Sequence, residues 1–350
     1  MTVEPTVIWG AGAIGGTVGA FLARAGHDVL LVDIAEEHVR KVAKDGMTIE
    51  GPIATFTTPV PAVTPDALAS RRFHTILLAV KSYHTEQATR DLLPYLAKDG
   101  AVASFQNGLN ELVIAEIVGR PRTIGVFVNF ASDYLGPGRI TYGGRSPMRV
   151  GELDGRDSPR VRALAAALRD FEPDTEVTDN VVGYLWGKSA YSALLAYTAL
   201  TSERMEDIIA DPAHRPALHG LIREVLLVGA ADGARPLGFH GFDPTVFLAN
   251  DVAAMDASLD ANAASKRGSA KKHSGYWRDL AIRKRPTDIA AQMAPVLAIA
   301  RRHGLAMPLV DRVLAGIAHL EQGRRTPGLA LAEEVLSLAS EGITAAEPGR

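Results

Sequence analysis

The chain has 350 residues, 47% of them hydrophobic and 22% charged, with a net charge of −3 and no cysteine. This is the balance of a globular protein too long for one comfortable core, so two domains are expected. It offers no electrostatic case for nucleic acid or an anionic membrane, and it excludes disulfides, thiolate metal sites and a cysteine nucleophile. No charge-free apolar run reaches the roughly 18 residues of a membrane span. The first 15 residues carry no basic segment ahead of a long apolar core. No secretory leader is therefore expected, and the expected location is cytoplasmic.

In chain order, short β-rich runs fall at Val7–Trp9, Val29–Val32, Thr75–Val80, Ala101–Phe105 and Thr123–Phe130. Helical patterns separate several of them: Ile14–Ala25, Glu36–Lys44, Thr85–Ala97 and Glu111–Val118. Strand and helix in alternation predict a parallel sheet covered on both faces. The segments "GRITYGG" and "MRVGEL" read as an antiparallel pair closing that sheet, and Ser158–Asp170 as a further helix. Beyond residue 178 the strands stop and long Ala/Leu-rich helical patterns follow, two of them ending at Gly233 and Gly304 in the manner of C-caps. The expected fold class is α/β: a Rossmann-type doubly wound parallel sheet over residues 1–178, then an all-helical C-terminal domain over 179–342 and a tail at 343–350.

The first strand runs directly into Gly10-Ala11-Gly12-Ala13-Ile14-Gly15, and the second ends in Asp33, 18 residues after Gly15. Strand, G-x-G-x-x-G, helix, strand and acid together form the dinucleotide fingerprint. Gly10 allows the tight turn, Gly12 removes the Cβ that would block a pyrophosphate, and Gly15 lets the helix sit close to the strand. The N–H groups at the helix start, with Ala13 and Ile14, face the phosphates. A carboxylate at Asp33 accepts the ribose hydroxyls of NAD and repels the extra phosphate of NADP; its alternative reading is a cap for the helix that begins near Glu36.

Further segments carry a resemblance. "LLAVKSYHTEQA" at 77–88, "FQNGLNE" at 105–111, the "GPGRITYGG…VGELDG" stretch, "LWGKSAYSAL" at 185–194 and "HSGYWRDLAIRKRPTDI" at 273–289 resemble, in order, successive motifs of ketopantoate reductases. The resemblance implies a two-domain reductase that uses NAD(P)H to convert a 2-oxo acid into the 2-hydroxy acid, as in pantothenate biosynthesis. It implies Lys188 as the catalytic lysine, with Asp288 where the family has a glutamate. It puts Lys81 and Asn107 along the cofactor and substrate cleft, and Ser274 or Gly275 at the family's substrate-binding serine. Members that make pantoate commonly carry asparagines one and two turns after the lysine; here those places hold Ser192 and Ala196. The family's usual preference is NADP(H), whereas Asp33 favours NAD(H).

In the role the resemblance implies, Lys188 would be the proton donor to the oxygen that gains charge as hydride arrives. Tyr184, Trp186 and Tyr191 would supply apolar surroundings, Ser192 at i+4 would bind substrate or orient the ammonium group, and Asp288 would hold Lys188 through a water. Arg278 and Arg283 are candidates for a substrate carboxylate, since arginine binds it bidentately. Plainer readings stand beside these: Lys188 as a snorkelling surface lysine, Lys81 as a solvated one, and Asn107-Gly108 as a simple turn. The basic run Lys266–Lys272 reads as a solvated loop. His214 and His219, five residues apart, do not share a helical face, so no metal site is expected. The apolar helices from 286 to 321 are left to pack within one chain or between two copies of a homodimer. Two alternatives remain in function: an NAD(H)-dependent dehydrogenase of this family acting on another carbonyl or hydroxyl compound, and a non-catalytic cofactor-sensing protein.

Overall fold

A computed structural model describes residues 4–267 and 272–341. The chain divides into two compact units, residues 1–181 and 182–350. The tail 343–350 and residues 268–271 of the basic run lie outside the described residues.

Unit 1 opens with β1 (Thr6–Trp9), α1 (Ala13–Arg24), β2 (Val29–Val32), α2 (Glu36–Asp45), β3 (Met47–Glu50), β4 (Phe56–Thr58) and β5 (Ala62–Val63). It continues through β6 (Phe73–Leu78), α3 (Thr85–Leu92), β7 (Leu96–Ser104), α4 (Asn110–Val118) and β8 (Thr123–Phe127). It ends with β9 (Ala131–Gly136), β10 (Arg139–Gly144), β11 (Met148–Glu152), α5 (Pro159–Leu168) and β12 (Thr175–Val177). The main sheet has eight strands in the order β12-β11-β8-β7-β6-β1-β2-β5. Strands β5 through β8 in that row are parallel, and β11 runs antiparallel to β8. Strand order reverses between β1 and β6, the place where open α/β sheets bind ligands. Both faces of the sheet are buried: Ile8, Val29 and Leu31 belong to one core, and Val7, Trp9, Leu30 and Val32 to the other. This explains why the strands read as unbroken apolar runs.

The antiparallel pairing expected of "GRITYGG" with "MRVGEL" is not what forms. β10 pairs with β9 and with β3, in a second sheet ordered β4-β3-β10-β9, while β11 joins the main sheet against β8. The physical reason lies on either side of β10. Gly136 and Gly138, at φ +151° and +72°, flank Pro137 in a tight turn that makes β9 the hairpin partner. Pro147, with no N–H to give a ladder, then marks the crossing between sheets. The expected helix Thr85–Ala97 is also shorter: Pro94 stands in a 3₁₀ turn at Leu93–Tyr95, and β7 starts at Leu96.

Unit 2 is helical. It comprises α6 (Val181–Thr198, starting on the last residue of unit 1), α7 (Met205–Ala210), α8 (Arg215–Ala231), α9 (Pro244–Ala249) and α10 (Val252–Lys266). After the basic run come α11 (Gly275–Ala281), α12 (Ile289–Arg302), α13 (Pro308–Glu321) and α14 (Leu329–Ser340). Gly233 and Gly304 follow the ends of α8 and α12 at φ +80° and +67°, the left-handed conformation that closes a helix. α8 is the central helix, packed on α9, α12, α13 and α14. No helix is long and apolar enough to cross a membrane, among the described residues. His214 and His219 have separate partners, the Tyr197 hydroxyl at 2.6 Å and Asp256 at 3.0 Å.

Glu224 on α8 is fully buried, and its two carboxylate oxygens accept the N–H groups of Leu309 and Val310 at 2.9 Å each, in the first turn of α13. Burial pushes this carboxyl up to about 8, against the pull of those N–H groups. The folded carboxyl thus holds its proton to higher pH than the unfolded one. Its contribution to stability is full below the ordinary glutamate range and is lost as pH rises through about 8. Between roughly pH 5 and 8 the parent is expected to lose more thermal stability than Glu224→Gln, whose amide does not titrate. Melting curves across that range test this, and equal slopes in the two proteins would refute it. Glu224→Ala, which strands two buried N–H groups, is expected to cost about 1–3 kcal/mol.

Candidate active site

In unit 1 the glycine turn sits at the carboxyl end of β1. Gly10 has φ +96°, its N–H donates to Val32 O at 2.8 Å, and a Cβ there would lie 2.9–3.1 Å from Val80 and Ala79, just beyond β6. Gly15 is packed more tightly still, for a Cβ would stand 2.1 Å from Gly10 O and 2.9 Å from Ile8. Gly12 is different: it is the N-cap of α1, and a Cβ there meets nothing within 4 Å. No side chain caps α1 and no acid stands in its first turn. The N–H groups of Ala13, Ile14 and Gly15 lie in that first turn, beyond the reach of the helix's own carbonyls, beside space that only a side chain on Gly12 would fill. The geometry fits a dinucleotide pyrophosphate.

Both sides of Ala11 are held. Its N–H donates to Asp33 Oδ2 at 2.7 Å, and its carbonyl lies 3.0 Å from His38 Nε2. Gly138 N–H donates to His38 Nδ1 at 3.0 Å, so the ring proton belongs on Nε2, where it donates to Ala11 O. Asp33 Oδ1 accepts Ala35 N–H at 2.9 Å, yet the N-cap of α2 is Ala35 and no side chain caps that helix. Asp33 therefore braces the glycine turn rather than capping α2. Glu36 and Glu37 are exposed beside it, and Arg40 pairs with Glu36 at 2.8 Å. His38 was not singled out in the sequence; a buried histidine five residues after the acid leaves no pattern to read.

Lys81 and Asn107 lie on adjacent turns, joined by a polar network. Ser82 Oγ donates to Asn107 O at 3.1 Å and accepts from Asn110 Nδ2 at 3.0 Å. Thr85 donates to Asn110 Oδ1 at 2.8 Å, and Gln106 Nε2 donates to Val80 O and Thr85 Oγ1, both at 2.8 Å. Lys81 is half-buried and Asn107 exposed, with Gly108 supplying φ +87°. The Q-N-G segment is a turn, as its composition allows, and it is a fixed one.

In unit 2, Lys188 lies in the middle of α6 and is only 7% exposed. That burial removes the snorkelling reading. Gly187 beside it permits close packing: a Cβ there would strike Leu237 O at 2.1 Å. Trp186 and Tyr191 are buried and Tyr184 half-buried; Tyr191 packs on Phe239 and Phe242 at 5.4 and 5.6 Å. Ser192 is buried, and its hydroxyl is hydrogen-bonded to Tyr276. Ser274, also buried, is the N-cap of α11, accepting Trp277 N–H at 3.2 Å while its own proton remains to donate. Beside it, Gly275 opens on space, with nothing within 4 Å of a Cβ.

Asp288 is 4% exposed at the N-cap position of α12, yet it makes no capping bond to that helix. The turn before it is fixed by Glu321, which accepts Thr287 N–H and Oγ1–H at 2.8 Å each. Arg278 on α11 is half-buried. Arg283 pairs with Asp279 at 2.7 Å, and Arg285 joins the same carboxylate at 2.9 Å. In the basic run, Lys272 pairs with Glu206 at 3.1 Å.

Comparison with known proteins places the chain in a family. Residues 6–155 match the profile of "Ketopantoate reductase PanE/ApbA", and residues 180–321 that of "Ketopantoate reductase PanE/ApbA C terminal". The chain is 29% identical over 319 residues to the 2-dehydropantoate 2-reductase of Halobacterium salinarum, covering 90% of this chain and 98% of that one. Among solved structures, the 2-dehydropantoate 2-reductase of Geobacter metallireducens superimposes with a TM-score of 0.72 at 27% identity, over 91% of this chain and 99% of that one. A D-mandelate dehydrogenase, solved with NADH and anilino(oxo)acetate, shares the fold with a TM-score of 0.77 at 19% identity, over 91% and 99% of the chains. The chain belongs to the ketopantoate reductase family and is an oxidoreductase of that type.

Proposed function

We propose that the protein reduces a 2-oxo acid to the 2-hydroxy acid with NADH, using Lys188 as the proton donor. The observation that carries this reading is a lysine buried in α6 of a family reductase, with Ser192 one turn on and Asp288 buried in the same helical unit. When bound, the nicotinamide supplies the hydride. Gly12, Ala13 and Ile14 hold its pyrophosphate through backbone N–H groups, and Asp33 accepts from its adenosine ribose. Lys188 gives a proton to the substrate oxygen as negative charge develops there. In unit 2, Arg278 and Ser274 bind the carboxylate; in unit 1, Lys81 follows Val80, which lies against Gly10, so Lys81 and Asn107 border the cofactor.

Asp33 supports NADH over NADPH. Two N–H groups fix its carboxylate, and Glu36 and Glu37 stand next to it. A 2′-phosphate facing that charge is expected to cost about 1–4 kcal/mol, depending on screening. A second reading concerns the acid itself. Ser192 is committed to Tyr276 and Ala196 is fully buried and apolar, so neither offers the amide donors that suit a hydroxylated substrate such as ketopantoate. We expect an apolar or aromatic 2-oxo acid, of the class seen in the D-mandelate dehydrogenase complex, to be preferred. Steady-state oxidation of NADH and NADPH with ketopantoate and a panel of 2-oxo acids tests both points. A higher kcat/KM with NADPH would overturn the cofactor assignment, and ketopantoate outranking every other acid would overturn the second reading.

A further inference from the structure

Three helices of unit 2 meet at one buried phenol. Tyr276, on α11, is 7% exposed; its hydroxyl donates to Gln292 Oε1 at 2.8 Å and is hydrogen-bonded by Ser192. Ser192 lies one turn after Lys188 on α6, and Gln292 lies one turn after Asp288 on α12. Ser192, Tyr276 and Gln292 therefore make a polar rung between α6 and α12, displaced by one turn along each helix from Lys188 and Asp288.

The rung is poorly explained by stability. Gln292 is fully buried, and its Nε2 has no hydrogen-bond partner among the described residues. A buried amide satisfied at one end only is costly, and an apolar side chain would pack α12 against its neighbours without that cost. We propose that Tyr276 is a positioning residue: through Ser192 and Gln292 it sets the separation of Lys188 from Asp288, and with it the readiness of Lys188 to hold and release its proton. The inference rests on the reading of Lys188 as proton donor. It assigns the Ser192 hydroxyl to the rung, ahead of any contact with substrate.

Tyr276 is not itself a general acid. Burial, reinforced by the carboxylates of Asp288 and Asp279, drives its phenol far above the ordinary tyrosine value, and the hydrogen bond with Ser192 only partly offsets this. The phenol keeps its proton throughout the working range and serves as a fixed donor. Its effect on Lys188 is geometric. On the reading that Asp288 holds the Lys188 ammonium group, a rung that lets α6 and α12 drift apart weakens that hold, since an opposite charge nearby favours the ammonium form.

Tyr276→Phe removes only the hydroxyl, and Gln292→Met removes the other end of the rung. The first measurement needs no substrate. Lysine side chains are labelled with carbon-13, the Lys188 signal is identified by its absence from Lys188→Met, and its titration is followed by NMR in the parent and both variants. The midpoint is expected to fall by about half a pH unit or more in each variant. The second measurement is kinetic: kcat is expected to fall about tenfold, with the alkaline limb of the pH profile moving the same way and the KM for NADH unchanged. An unmoved Lys188 midpoint in a folded variant overturns the proposal, even if the melting temperature has dropped. Should Tyr276→Phe fail to fold, Gln292→Met decides. A shifted midpoint in a protein that turns over no 2-oxo acid would keep the rung and overturn the reductase reading instead.

Discussion

Lys188→Ala is expected to lower kcat by about 10²-fold or more while leaving the affinity for NADH nearly intact. The first half follows from what the reaction needs. Hydride addition leaves an alkoxide, and a positioned donor that neutralises it as it forms is typically worth about 10²–10⁴ in rate. Lys188 is nine-tenths buried, so water cannot simply take its place. The second half follows from the division of labour. The glycine turn and Asp33 belong to unit 1, and α6 beyond Val181 belongs to unit 2. A lost proton donor should therefore appear in kcat and not in cofactor binding. Lys188→Met, closer in volume, separates loss of the ammonium group from loss of packing. The alkaline limb of the pH–rate profile should vanish in both variants. A variant keeping more than about a tenth of the parent kcat would move the proton donor elsewhere, with Asp288 or a bound water next in line.

The sequence exposed the parts of this protein that local chemistry dictates. A glycine turn between an apolar strand and a helix has one main physical use; Gly10 shows a positive φ and Gly15 close packing, while Gly12 opens on space. The parallel strands were legible because burial on both faces leaves apolar runs such as Val7–Trp9, Val29–Val32 and Ile76–Leu78 in them. The second sheet was not, since β3, β4 and β9 are short and half-exposed, and β10 finds partners 89 or more residues away along one edge, as at Arg139 and Glu50. The same limit hid the site's supporting groups. His38 reaches Ala11 across 27 residues, and Ser192, Tyr276 and Gln292 come from three separate helices. Periodicity reports which face of an element is buried, not which distant side chain it meets there. Asp33 shows the intermediate case: its position marked it as functional, while its bond to Ala11 N–H became visible only in three dimensions.

Gly12→Val is expected to abolish NADH binding in a protein that remains folded, and Gly15→Val to destabilise the fold. The two glycines lie in one motif, three residues apart, yet a side chain meets opposite surroundings at each. At Gly12 the backbone is in an ordinary extended conformation, φ −70° and ψ −158°, and an added Cβ touches nothing within 4 Å. Valine there costs the fold little, but its methyl groups occupy the approach to the first turn of α1. Charge-assisted hydrogen bonds to a phosphate are worth about 1.5–3 kcal/mol each. Losing two of them implies a drop in affinity of about 10²-fold or more. At Gly15 a Cβ would stand 2.1 Å from Gly10 O, a backbone atom that cannot move without displacing β1. The penalty there falls on folding, by about 3 kcal/mol or more, in the range reserved for core overpacking and strain. Calorimetric titration with NADH and thermal melting of both variants, side by side, separate the two effects. If Gly12→Val melts like the parent and still binds NADH with unchanged affinity, the phosphates do not lie on this helix, and the open space before it has another purpose.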